Sequence, residues 1–286
     1  MMKSIRTLVR QDREKYVIPR RVQDVIPIQK IWEDGIFLTG GRYAKTFRFT
    51  DINYQVASEP DKEKMFRGYS ALINSLDCGA TTKITIFNHK MSQINFEKSI
   101  LMPMQWDGLD DYREEYNQML LDKATNGNGI VQEKFITISV RKKDVDAARS
   151  FFARVEADLS AHFAALGSAC GPTNAMERLQ ILHRFYRRGE ENEFRFSLRD
   201  SARKGHSFRD YICPDSIERH SDYLQIGERY ARVLYLKDYA SYIQDDFVSE
   251  LTDLNRDMML SIDMIPIPTD EAVREVENRL LGVETN

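Results

Sequence analysis

Apolar residues recur along this chain at two spacings, and the change from one to the other marks out its elements. The clearest run is Val145, Ala148, Phe152, Val155, Leu159, Phe163 and Leu166, which steps by three or four residues throughout. That period predicts an amphipathic helix over 144–166, with Gly167 placed to end it. "EKFITISV" at 133–140 precedes it and is read as a strand on which this helix packs its Val145, Phe152, Val155, Leu159 and Phe163 face. Further upstream, Ile36–Leu38 and the alternating Tyr43, Lys45, Phe47 and Phe49 predict two strands joined by a tight turn at Gly40-Gly41. "ATTKITIF" predicts a strand with Ile84 and Ile86 on one side. "YARVLYL" (230–236) and "MLSIDMIPI" (259–267) are read as two more strands.

The remaining helices follow from caps and apolar faces. Ser58, with Asp61 three residues on, opens a helix whose face is Met65, Tyr69, Leu72 and Leu76. Leu109, Tyr112, Tyr116 and Met119 form the expected face of another, closed by "NGNG" at 126–129. Asn174 and Glu177 have the spacing of a capping box at the head of a helix running through Leu179, Leu182 and Tyr186 to Gly189. Residues 190–228 are polar and weakly periodic, which predicts a long surface connection with short elements, and "YIQDDFVSELTDL" predicts a helix. Thr269, followed by Asp270 and Glu271, suits the N-terminus of a last helix with Val273, Val276 and Leu280 as a narrow apolar stripe. Helices and strands interleave, but hairpins occur too. An α+β fold of mixed or antiparallel sheet with helices packed on it therefore fits better than a doubly wound sheet. The expected organisation is a basic arm over 1–21, an α+β region over 22–268 with an internal boundary near 125–132, and the terminal helix over 269–286.

Composition narrows the class. A chain of 286 residues with 42% hydrophobic residues can bury one large core or two modest ones. The net charge of −3 supplies no global attraction to nucleic acid. Three widely spaced cysteines, Cys78, Cys170 and Cys213, suit a reducing compartment better than a disulfide framework. No apolar run approaches the roughly 20 residues of a membrane span, and the N-terminal residues lack the apolar stretch of a signal peptide. The expected setting is cytoplasmic.

Each candidate for chemistry has a simpler explanation. "GGRYAKT" invites comparison with a phosphate-binding loop, in which glycines let backbone N–H groups wrap the phosphates ahead of a Lys-Ser/Thr pair. Counting back from Lys45-Thr46, those glycines fall on Thr39 and Ala44, and a hairpin surrounds the stretch instead of a strand leading into a helix. His206, Cys213 and His220 are evenly spaced, but zinc ligands come as close pairs, so no metal site is expected there. Arg184, Arg187 and Arg188 are accompanied by aromatic residues near a helix end, where cations complement the helix dipole. Single-strand nucleic-acid binders also combine arginines with aromatics. Arg141, Lys142 and Lys143 sit at a strand end. No catalytic, cofactor or metal constellation emerges, which favours an interaction or assembly role. The candidate interaction residues are Arg184, Arg187, Arg188, Val273, Val276 and Leu280.

Several segments together resemble the N-terminal region of the VirB/TraE/TrsE-type conjugal transfer ATPases, of the kind carried on integrative elements of Gram-positive bacteria. They include "RRVQDVIPIQKIWEDGIF", "KTFRFTDINYQVAS", "YSALINSLDCGATTKITI", "DGLDDYREEYNQMLLDKAT", "RKGHSFRDYICPD" and "MMLSIDMIPIPTDEAVREVENRLLGVETN", and the likeness runs from about residue 17 to the C-terminus. The resemblance implies an excised N-terminal portion that would precede a RecA-like ATPase domain, itself not part of this chain. It implies a full-length hexameric ATPase, with ATP and magnesium, at the cytoplasmic face of a type IV secretion channel. The expected role of this region is docking against inner-membrane channel components; the alternative is a single-stranded nucleic-acid contact that guides DNA into the motor. None of the family's catalytic residues falls within these residues.

Overall fold

Glycine stereochemistry sets the first turn of the main sheet. Gly40 and Gly41 both have positive φ, 55° and 71°, which is what a two-residue turn matched to the twist of its strands requires. They join β2 (Phe37–Thr39) to β3 (Arg42–Phe49), with Leu38 opposite Tyr43. A third strand, β1 (Ile28–Ile31), pairs with β2 through a second turn at Gly35. Gly35 has φ 78°, and a Cβ there would lie 2.0 Å from the Thr173 carbonyl oxygen, so no other residue fits. The computed structural model describes residues 19–52, 54, 56–75, 79–90, 101–126, 130–238 and 246–284, with the backbone alone at 124–126, 269, 275 and 279–284. Most of the basic arm and of "NGNG", together with Leu76, Cys78 and the Leu280 side chain, lie outside the described residues.

The chain divides into two compact units, one of Ile28–Ile181 with Tyr235–Asn286 and the other of Met1–Pro27 with Leu182–Leu234. In the first, α1 (Glu59–Ser75) is followed by β4 (Ala80–Lys90), α2 (Asp110–Asn126), β5 (Ile130–Val140) and α3 (Val145–Ala165). Next come β6 (Cys170–Pro172) and the start of α4 (Ala175–Tyr186). Among the described residues a seven-stranded, wholly antiparallel sheet results. Its order is β1-β2-β3-β5-β4-β10, where β10 is Met258–Met264, and β6 pairs with the far half of β3. β4 and β5 pair over their full lengths, from Ala80↔Val140 to Lys90↔Ile130. The boundary expected near 125–132 is therefore absent: the two strands on either side of that stretch are central neighbours in one sheet.

The core lies where α3 crosses this sheet. Phe152, Val155, Leu159 and Phe163 are buried together with Phe47, Ile136, Ile138 and Val140, as the helical period predicts, and Leu72 of α1 joins them. Asp144 caps α3 by accepting the Ala147 N–H at 2.8 Å, and Gly167 with φ 79° ends it. Among the described residues of the face expected for α1, Leu72 is buried, Met65 is half-buried and Tyr69 is exposed. Phe87, Phe135 and Ile181 form a separate apolar cluster. α4 opens on the predicted capping box: Glu177 N–H donates to Asn174 Oδ1 at 2.9 Å, and Asn174 N–H donates to the Glu177 carboxylate at 2.8 Å. The last helix, α7 (Thr269–Glu284), and α6 (Phe247–Thr252) complete this unit.

The second unit corrects the reading of 190–228 as a surface connection. It holds α5 (Leu198–Lys204) and a small sheet of β7 (Ile217–Arg219), β8 (Leu224–Ile226) and β9 (Arg229–Ala231). Phe196 and Ile212 are buried, and Phe196 packs edge-on against Tyr211 at 5.1 Å. Aromatic residues spaced irregularly in a polar stretch build this core, which is why periodicity did not reveal it. The strand expected over 230–236 stops at Ala231, and Val233–Leu236 is exposed, with no strand partner among the described residues.

Candidate functional site

The apolar face read from Leu109, Tyr112, Tyr116 and Met119 is turned outwards. Leu109, Tyr112, Tyr116 and Met119 are all exposed, Tyr112 by 70%. Asn117 is buried, and Leu120 and Leu121 are half-buried, so the inward face is rotated well away from the tyrosine row. Polar chemistry fixes that rotation. Asn117 donates to the Met102 carbonyl at 2.9 Å and accepts the Met102 N–H at 2.8 Å, which holds the segment 101–109 along the helix.

A charge clamp closes the head of α2. The Asp110 carboxylate accepts the N–H groups of Gln105 and Trp106 at 3.0 and 2.8 Å, and the Arg113 guanidinium binds Asp110 at 2.7 Å and Asp107 as well. The Arg113 hydrogen bond holds the Asp107 carboxyl down at about 2, so Asp107 is ionised throughout the neutral range. Asp110 is lowered mainly by the Gln105 N–H, and Arg113 is raised by its two carboxylates. Within this clamp Trp106 adopts φ 59°, uncommon for a residue other than glycine, and its side chain is 90% exposed. Met102 and Met104 are exposed beside it. The outcome is a held row of indole, phenol, leucine and thioether groups facing solvent. Large exposed apolar patches of this kind mark interaction sites, and tryptophan and tyrosine are the side chains that anchor interfaces.

The residues singled out from sequence are placed differently. Arg187 binds Glu190 at 2.6 Å and Asp215 at 3.0 Å and donates to the Cys213 carbonyl, while Arg188 binds Glu191 at 2.6 Å in a largely buried pair. Arg184 is half-buried. Arg187 and Arg188 are therefore engaged with carboxylates of the second unit. Val273 and Val276 are half or more exposed on α7, so two of the three stripe positions face solvent.

The candidate loop at 39–46 is a strand pair. Lys45 is bound to Glu156 at 3.1 Å, and Thr46 is buried with its hydroxyl against Thr137 at 2.8 Å. His206 stands by Asp210, His220 stacks on Tyr223 at 4.4 Å, and Cys213 is buried, its thiol pushed up by that burial. Among the described residues no group of three or more histidine, cysteine or carboxylate side chains is arranged to hold a metal ion.

Two polar features were missed at the sequence level. His89 and Arg48 both bind the Glu133 carboxylate, at 3.0 and 2.9 Å, across neighbouring strands. Arg178 lies 4.1 Å above the Phe37 ring and donates to the Gly35 and Ala44 carbonyls. Burial lowers the Arg178 pKa to about 9, and the cation ties α4 to the hairpin. Both connect residues far apart in sequence, so no local signal announces them. Among the described residues no helix is long and apolar enough to cross a membrane. The sequence matches no protein-family model and no curated protein.

Proposed function

We propose that this chain is the N-terminal, channel-docking and assembly part of a conjugal transfer ATPase of a type IV secretion system. In that reading it places a hexameric motor, with ATP and magnesium held in a separate ATPase domain, at inner-membrane channel proteins for conjugative DNA transfer. The chain itself performs no nucleotide chemistry and sits at the cytoplasmic face of the membrane by association. The reading is supported by the distributed resemblance of its segments to that family. The observation that carries the docking role is the outward row of Trp106, Leu109, Tyr112, Tyr116 and Met119, held in place by the Arg113 clamp. An apolar row braced by hydrogen bonds loses little further conformational freedom on binding, so more of its burial is available as affinity.

Co-purification with the inner-membrane channel proteins tests this. The protein should retain them, and Tyr112→Ser combined with Tyr116→Ser should abolish retention without lowering the melting temperature. Equal retention by the double variant would end the docking role for this surface. A single-stranded nucleic-acid contact comes second, because Arg187 and Arg188 are already engaged with carboxylates. A steeply salt-dependent affinity for a single-stranded oligonucleotide would restore it.

A further inference from the structure

Carboxylates edge the outward row of α2 along one side only. Successive residues of an α-helix are about 100° apart. That sets Tyr112, Tyr116 and Met119 on one face and Asp111, Glu115 and Asp122 on a strip about 90° round from it, and all six are exposed. On the other side of the row lie Asn117 and the segment it holds, where Met102, Met104 and Trp106 are exposed. Between Gln105 and Lys123 the chain carries six carboxylates and two cations, Arg113 and Lys123. Arg113 is taken by Asp107 and Asp110, and Asp122 accepts from Gln118 at 3.1 Å. Lys123, one turn past Met119, ends the row.

These charges select among the partners that an aromatic row accepts. Stacked bases and anionic headgroups both bring phosphates, which carboxylates repel. A wholly apolar partner would strip water from Asp111 and Glu115 without replacing it, which costs stability. A basic amphipathic helix suits the row and its acidic margin together. Its apolar side chains cover the tyrosines and methionines, whose thioethers adapt to the shape that arrives. Its lysines and arginines meet Asp111 and Glu115, one turn apart, and lie over the exposed Trp106 indole. From Leu109 to Met119, at about 1.5 Å per residue, the row is roughly 15 Å long, about three turns of such a helix.

We propose that this face of α2 takes a basic amphipathic helix, supplied by the cytoplasmic segment that adjoins a membrane span of a channel protein. The inference rests on the docking function and deepens it by stating the chemistry of the partner. Cytoplasmic segments next to membrane spans carry an excess of lysine and arginine, which is the charge that Asp111 and Glu115 complement. An amphipathic helix laid on an apolar surface is a recurring mode of peptide recognition. The aromatic and thioether side chains supply the affinity, and the carboxylate margin fixes which side of the partner helix faces it.

The probe is a synthetic helical peptide of leucine and lysine with one apolar face, its binding followed by the anisotropy of a label on the peptide. It should bind the full chain, less tightly as salt rises. It should also move the emission of Trp106 to the blue, a shift absent in Trp106→Phe. A scrambled peptide of the same composition should bind about tenfold more weakly, having lost the apolar face, and a leucine–glutamate peptide should not bind. Asp111→Asn with Glu115→Gln should weaken binding about fourfold, at about twofold per exposed ion pair. Glu218→Gln with Glu228→Gln, exposed in the second unit, should leave it unchanged. If the change at Asp111, in the first turn of α2, unfolds the helix, Glu115→Gln alone should still weaken binding about twofold. The inference is overturned if the glutamate peptide binds equally, if the carboxylate variant binds as the native chain does, if the control loses as much, or if binding leaves Trp106 emission unmoved. It is also overturned if anionic vesicles shift that emission where the peptide does not. A peptide of residues 1–18 of this chain that bound far more tightly than the probe would overturn it too, making the row a seat for the basic arm. The peptide assay contains no channel protein, so the two readings fail separately. Channel proteins lost by the Tyr112→Ser, Tyr116→Ser variant but kept in full by the carboxylate variant would remove the basic partner and leave the docking function standing.

Discussion

Replacing Phe152 by alanine tests the central packing. Phe152 is fully buried at the centre of the α3 face, with the Phe151 ring 5.4 Å away at 71°. A phenylalanine side chain buries roughly 150–250 Å². At about 25 cal/mol per Å² that is roughly 4–6 kcal/mol, of which the retained Cβ keeps part. Measured truncations of buried phenylalanine cost roughly 3–5 kcal/mol, cavity included. For a unit of this size each kcal/mol moves the midpoint by about 2–4 °C, so the transition of the sheet unit should fall by roughly 6–20 °C. Thermal unfolding followed by circular dichroism is the assay, with Tyr112→Ala as a control expected to change stability by less than about 0.5 kcal/mol. An unchanged midpoint for Phe152→Ala would mean that the α3 face is not the core and would refute the assignment of this helix to the sheet.

Calorimetry with ATP and magnesium should give a flat trace, because Lys45 is bound to Glu156 and Thr46 lies buried within a strand pair; a saturating heat would contradict the hairpin reading of 36–50. Amide hydrogens of α7 should exchange faster than those of α3, since Val273 and Val276 are exposed where Phe152 and Leu159 are not. In a full-length protein with a motor domain α7 should gain protection, and equal exchange in both forms would remove any coupling role for it. His183 is 3% exposed, and burial, followed by the Arg187 charge, lowers its pKa below that of a free imidazole. Folding therefore favours the neutral ring: this contribution is complete above the unfolded pKa of about 6.5 and is lost as pH falls below it. Denaturant midpoints measured between neutral and mildly acidic pH should decline, and His183→Gln should flatten the decline; an equal slope in both proteins would assign it to other groups.

Local elements were legible in the sequence because their causes are local. The three-and-four spacing from Val145 to Phe163, the paired glycines at 40–41 and the reciprocal Asn174–Glu177 cap each depend on residues within a few positions of one another, and each forms where expected. The α+β class followed from them. Tertiary structure alone decided what each face meets. Tyr112 and Tyr116 have helical spacing whether they face a core or solvent, and it was the Asn117 and Arg113 hydrogen bonds to 102–110 that turned them outwards. Likewise Asp215, 28 residues beyond Arg187 in the chain, meets it only in the folded unit. Periodicity records that a residue has a preferred side; which surface lies on that side is set by contacts between segments far apart in the chain, and no local pattern encodes them.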